Sequence, residues 1–330
     1  MEEKKITEME KIMNLSACDF VAETKHLIKT DKCGILSVFV QGNTQIIRDR
    51  TPVFLTVHDM GCNHAEFHNF VEHPSMEKIR ERSVFLHVEI PGQEYDAPDL
   101  DESFNFPSMQ ELAEDLIYIL DYFNIKYVIT LGEGAGANIL TRFAMLYPNR
   151  VLGNVLLHCT STVAGIMEYF NDKIINWKLQ TVGMNPTAEQ YLVFHKFGAI
   201  LEQQIEKAED KDKVINLYIK KLKSRLNPRN LRLYVDSFLN RSDLSGVLRD
   251  KMKVDTLLVT GAKASHVHTV HTMHTHMDPK WTTLLKIDDV GDVMNEVPHR
   301  LAHNILLFSQ GLGLLSALSI SRQSSLLSCS

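Results

Sequence analysis

Apolar positions follow two rhythms along the chain. Short β-prone runs at 25–29, 33–40, 53–57, 83–89, 128–132, 151–158, 254–260 and 281–287 predict strands, the first two joined as a hairpin by Thr30-Asp31-Lys32. Spacing of three and four predicts helices at 75–82, 108–123, 135–146, 163–180, 187–197, 200–223, 228–239 and 298–310. Ser108 and Glu111 have the spacing of a capping box, and Pro228 suits a first helical turn. Strands alternate with helices except between about 160 and 253, where the pattern is helical throughout.

That alternation predicts an α/β fold: a mostly parallel sheet of about eight strands, helices on both faces, and a helical cap inserted after the sixth strand. The expected division is a lead-in at 1–24, a core at 25–160 and 254–312, a cap at 161–253, and a serine-rich flexible tail at 313–330. Cap residues Tyr191, Leu192, Val193, Phe194 and Phe197 nearly encircle their helix, so one side should pack on the sheet edge. The remainder is expected either to form an exposed apolar patch or to be buried among the cap helices.

The stretch YVITLGEGAGANILTRFAMLYP, residues 127–148, combines a buried strand, a glycine turn and a helix stopped at Tyr147-Pro148. This is the layout of a nucleophile elbow, in which G-x-S-x-G places a serine on a strained turn. Here Gly134 stands at the serine position. The chain order of a serine hydrolase then requires an acid after the penultimate strand and a histidine after the last. Residues 261–265 contain no carboxylate, and Asp292 stands at the loop position of the base. The backbone N–H of Ala135 and one from the loop after His58 remain as oxyanion-hole donors.

His58, Asp59, Gly61, Asn63, Glu133 and Ala135 are the expected pocket-lining residues. His58 and Asp59 read either as an acid–base pair or as a buried polar turn, with Asp59 accepting loop N–H bonds. Glu133 gains a functional reading if it points into a dry pocket, where its pKa would rise.

Composition narrows the setting. The 330 residues are 44% hydrophobic and 23% charged, ordinary for a globular protein, and the net charge of −6 offers no footprint for nucleic acid. Five cysteines without C-x-x-C spacing favour free thiols and a cytoplasmic location. No window reaches the roughly 18 apolar residues of a membrane span, although peripheral membrane association stays compatible with the sequence. His266, His268, His271, His274 and His276 are crowded together, but no cysteine or acidic ligand lies within the run. Neither metal nor cofactor is expected.

His58-Asp59-Met60-Gly61-Cys62-Asn63-His64, Pro91-Gly92-Gln93, Phe106-Pro107-Ser108-Met109 and Gly132-Glu133-Gly134-Ala135-Gly136-Ala137 together resemble the N-myc downstream-regulated (NDRG) family. Leu140-x-Arg142-Phe143-Ala144, Asn240-Arg241-Ser242-Asp243-Leu244 and the serine-bearing tail extend the likeness over about 22–314. The resemblance implies a hydrolase fold without a triad. It also implies a non-enzymatic cytosolic protein acting through protein partners in signalling, stress response, growth or differentiation. Glu89-Ile90 before Pro91 and Glu133 in the elbow depart from the family pattern. Ser324 and Ser325, behind Arg322, are the candidate phosphorylation sites. Two other readings remain: a hydrolase or lyase using the carboxylates Asp59, Glu133 and Asp292, or a small-molecule sensor using the old pocket. The oligomeric state is left open.

Overall fold

The computed structural model describes residues 23–48, 50–162, 186–198 and 209–316. The expected lead-in up to residue 22, the helix at 163–180, the first part of the helix at 200–223, and nearly all of the tail, including Ser324 and Ser325, lie outside the described residues, while Thr24 at the end of the expected lead-in opens the first strand.

Eight strands form one sheet: β1 (Thr24–Lys29), β2 (Ile35–Gln41), β3 (Val53–Val57), β4 (Val84–Glu89), β5 (Val128–Glu133), β6 (Val151–Leu157), β7 (Thr256–Gly261) and β8 (Thr282–Ile287). Their spatial order is β1-β2-β4-β3-β5-β6-β7-β8. β2 runs antiparallel to β1 and β4, and every other pairing is parallel. All residues of β3, β4 and β5 are buried, because helices cover both faces. Alternation along β3 sends Val53, Leu55 and Val57 into one core and Phe54 into the other.

The helices longer than four residues are α1 (His64–Glu72), α2 (Met109–Asp115) continuing as α3 (Ile117–Tyr122), α4 (Gly134–Leu146), α5 (Pro186–Phe197), α6 (Glu209–Ser224), α7 (Pro228–Leu239), α8 (Val267–His276) and α9 (Pro298–Gly311). Helix α1 is absent from the sequence reading. Its stretch HAEFHNFVE mixes two histidines and an asparagine, all modest helix formers, among its apolar residues. It forms because Asn63 caps it, accepting from Ala65 N, and because His64, Ala65, Phe67, His68, Phe70 and Val71 are buried. The helix expected at 75–82 is a 3-10 turn, Pro74–Met76, followed by one short helix, Glu77–Arg80.

The capping box at α2 is complete: Ser108 Oγ accepts from Glu111 N, and the Glu111 carboxylate accepts from Ser108 N at 2.8 Å. Ser108→Ala is expected to lower unfolding free energy by about 1 kcal/mol in urea titrations, and an unchanged midpoint would show that water replaces the hydroxyl without loss.

Two features of this architecture build the site. β3 lies between β4 and β5, so the chain's progression across the sheet reverses beside it, and Val57 pairs with Gly132. The carboxyl ends of β3 and β5 therefore open side by side at a topological switch point, where α/β sheets bind ligands. Helices α5, α6 and α7, which come between β6 and β7, lean over that point. Tyr234 of α7 donates to the carbonyl of His58 at 3.0 Å.

Candidate functional site

The elbow is a sharp strand-to-helix turn. Gly134 has φ +51°, a left-handed conformation that favours glycine. Gly136 allows α4 to press on β3, since a Cβ there would stand 2.1 Å from the Val57 carbonyl oxygen. The hole donors are also in place, but they are occupied. Asp59 Oδ1 accepts from Met60 N and from Ala135 N, both at 2.8 Å. A Cβ built on Gly134 would lie 2.2 Å from Cγ, Oδ1 and Oδ2 of Asp59. The carboxylate thus fills both the oxyanion hole and the volume of an elbow side chain.

The cap supplies two groups that the sequence reading did not find, His195 and Lys196, from the last turn of α5. His195 Nε2 lies 2.7 Å from Asp59 Oδ2, and its Nδ1 lies 3.1 Å from Nε2 of His266. Burial would raise the Asp59 pKa, but the His195 charge and hydrogen bond and the Ala135 N–H outweigh it and bring it to about 2. Burial pulls His266 down to about 3, with His195 adding to the effect, so His266 is a neutral acceptor. One member of the histidine-rich run therefore joins the site through α8.

Lys196 is 4% exposed and lies 2.6 Å from Glu133, 2.6 Å from Glu66 and 3.6 Å from Asp292. Burial opposes its charge, but Asp292, Glu133 and Glu66 outweigh this and hold its pKa well above the usual value. Burial pushes Glu133 well above the carboxylate range, with Glu66 and Asp292 adding to it against the pull of Lys196. Glu133 therefore points inward, into a dry ionic cluster.

The other expected residues have identifiable places. Asp292 is fully buried, caps the short helix Val293–Glu296, and lies 3.6 Å from Lys196. Gly61 has φ +73° and lies against Tyr218 of α6, where an added Cβ would meet the Tyr218 hydroxyl at 2.3 Å. Asn63 is the α1 cap, and Ala135 supplies the hole N–H. His58 does not pair with the Asp59 carboxylate. Its Nδ1 faces the Asp59 carbonyl at 2.9 Å, and its Nε2 lies 2.9 Å from Glu89 Oε1.

Glu89 joins a second buried cluster below the loop. Its other oxygen meets His64 Nδ1, while Glu23 lies 3.7 Å from His64 and 3.3 Å from His68. Burial would depress His64, but Glu23 and Glu89 outweigh it and carry its pKa up to about 9 from 6.5. Burial opposes ionisation of Glu89, but His58 and His64 bring it to about 2 from 4.5. Stability from Glu89 is complete above pH 4.5 and fades as pH falls toward 2. Stability from His64 is complete below pH 6.5 and fades as pH rises through 9. The unfolding free energy is expected to decline from pH 6.5 to 9 by on the order of 2–3 kcal/mol, and His64→Gln should flatten that limb. An unchanged limb in the variant would assign it to other groups.

The apolar residues encircling α5 are accounted for: Tyr191, Leu192, Val193 and Phe197 are buried and Phe194 is half-buried. Among the described residues, the apolar surplus of this helix forms no exposed patch. Cys33, Cys62 and Cys159 are free and buried, and no helix among the described residues is long and apolar enough to cross a membrane.

Comparison with known proteins agrees with this geometry. A thermophilic esterase from Thermogutta terrifontis superposes with a TM-score of 0.68 at 14% identity, over 88% of this chain and 99% of the esterase. At that identity the likeness shows the α/β-hydrolase fold alone. An uncharacterized protein of Caenorhabditis elegans is 45% identical over 295 residues, covering 89% of this chain and 86% of its own length. Protein NDRG3 of Xenopus laevis is 32% identical, covering 90% of this chain and 78% of its own length. An NDRG-like protein of Dictyostelium discoideum is 33% identical, covering 89% and 87%. Residues 25–316 match the Ndr family, and the chain belongs to that family.

Proposed function

We propose that this protein does not hydrolyse esters or amides and that it acts by binding protein partners, in signal transduction, stress response, growth or differentiation. The observation that carries the first half is Asp59 Oδ1 between the N–H groups of Met60 and Ala135. An acyl substrate needs those donors for its developing oxyanion, and here a fixed carboxylate holds them. Gly134 offers no nucleophile in its place. Family membership supports the second half. Free cysteines without C-x-x-C spacing support a cytoplasmic setting. The core, the cap at 161–253 and the tail from 313 are proposed as separate units of one domain, with Ser324 and Ser325 as the regulated residues.

The test is affinity capture with the full chain, followed by binding of each purified candidate to purified protein. At least one protein is expected to bind saturably, with affinity unchanged in Asp59→Asn. A small ester turned over by the wild type, with turnover lost in that variant, would overturn the reading.

A further inference from the structure

Two buried arginines hold the places where the chain leaves the sheet after β6 and returns to it after α7. Arg142 of α4 is 1% exposed, and Arg241, just beyond α7, is 5% exposed. Arg142 donates through Nε to Asn138 Oδ1, through Nη1 to Gln110 Oε1 and Ser242 Oγ, and through Nη2 to the Ser242 carbonyl. Arg241 donates to the carbonyls of Phe238 and Thr162 and to Thr160 Oγ1, and its Nε has no partner. All of these acceptors are uncharged. The nearest acid in the chain, Asp243, accepts from Ser245 N at 2.7 Å. A buried cation without an anion is costly, and burial brings both guanidinium pKa values down from 12.5 to about 10.

The hydroxyl held by Arg142 belongs to an exposed serine. Ser242 and Asp243 are both exposed, and 241–244 has no regular secondary structure. A Cβ added at Gly246, four residues on, would meet nothing within 4 Å. Ser242 Oγ nevertheless lies 2.8 Å from Arg142 Nη1, and the Ser242 carbonyl oxygen 2.6 Å from Nη2. An exposed hydroxyl on an irregular segment, the kind of segment modifying enzymes reach, thus touches a guanidinium that has only neutral partners. We propose that Ser242 is a phosphorylation site and that Arg142 receives its phosphate.

The phosphoryl donor is ATP and the enzyme a protein serine kinase. The bond from Ser242 Oγ to the γ-phosphorus forms, the bond from that phosphorus to the β,γ-bridging oxygen breaks, ADP leaves, and the hydroxyl proton is released. The product carries nearly two negative charges and three acceptor oxygens, which a guanidinium fork can take in pairs. The charge arrives where the buried cation lacks one. Its effect extends along both crossings, because Leu244 N donates to the Ser161 carbonyl at 3.1 Å and Arg241 spans Thr160 and Thr162. Phosphate on Ser242 therefore fastens the return crossing to α4, the elbow helix, and holds the helices between β6 and β7 more firmly on the sheet. This modification goes beyond partner binding and does not rest on it, and it is separate from Ser324 and Ser325.

The test has two arms. In the first, the full chain is isolated under phosphatase inhibition from the cells that make it, and the tryptic peptide 242–249 is fragmented to separate Ser242 from Ser245. Phosphate is expected on Ser242, and its absence there overturns the proposal. In the second, full chain carrying phosphoserine at 242, installed during translation, is compared with the unmodified chain. The thermal midpoint is expected to rise by roughly 2–5 °C, and phosphorus NMR should show the second phosphate ionisation below its usual value of about 6. Arg142→Lys, which keeps the charge and loses the fork, should remove most of the rise in midpoint. A phosphate that titrates near 6 in the folded protein, or a midpoint unchanged by it, overturns the assignment to Arg142. If Arg142→Lys fails to fold, the titration in the protein with Arg142 intact decides alone.

Discussion

Lys196→Met is expected to destabilise the protein by roughly 3–5 kcal/mol, the cost of leaving buried charge without its partner. Methionine matches the aliphatic stem of lysine, so packing changes little and the loss is electrostatic. Glu133, Glu66 and Asp292 would then crowd one buried space with no cation among them. The pH dependence separates this from a packing defect. Removing the ammonium raises the Glu133 pKa further, and a raised carboxyl binds its proton more tightly in the folded state. The variant should therefore regain stability relative to wild type as pH falls toward 5. Urea titrations at pH 5 and pH 8 measure both effects. A loss below about 1 kcal/mol at pH 8, or one independent of pH, would mean that the carboxylates are already neutral or hydrated. Because Lys196 is carried on α5, the same experiment reports how firmly the cap helix is pinned to the core.

Ester and amide hydrolysis is expected to stay at background in the wild type, and Gly134→Ser is not expected to restore it. Loss of the nucleophile alone costs on the order of a million-fold in a serine hydrolase, and a serine at this position would not recover that factor. Its Cβ would enter the volume of the Asp59 carboxylate at 2.2 Å, and φ +51° strains any L side chain. If the chain accommodates the serine, Asp59 must leave Met60 N and Ala135 N, and thermal unfolding should fall by several degrees. A fluorogenic acyl ester with stopped-flow detection checks the catalytic half. A burst of acyl-enzyme in Gly134→Ser would show that Asp59 yields the hole readily and that His195 serves a serine as base.

The elbow was legible because it is local. A glycine turn between a buried strand and an amphipathic helix is written in consecutive residues, so Gly134 and the Ala135 N–H could be located from the sequence. The eight strands and their mostly parallel sheet followed from the same kind of pattern, since β-prone runs separated by helices favour parallel pairing, whereas the strand order came from the tertiary structure. Asp59 was singled out with two readings, and the carboxylate does accept loop N–H bonds. Its entry into the hole depends on β3 and β5 being neighbours, which no local pattern states. Helix α1 escaped notice because burial and a cap overrode weak propensity.

His195 and Lys196 mark the limit of pattern reading. They close a helix whose neighbours are almost all apolar, where a His-Lys pair reads as a polar end turned to solvent. Each meets partners far away in the chain: Asp59 is 136 residues from His195, and Glu133 is 63 residues from Lys196. Residue periodicity encodes which face of an element is buried, and that determined the sheet, the elbow and the vacant nucleophile position. It does not encode which buried charge will meet which, because that depends on how the cap settles over the sheet edge. Desolvation makes an unpaired ion at that edge costly, so the tertiary structure decided that α5 would deliver a histidine to Asp59 and a lysine to Glu133.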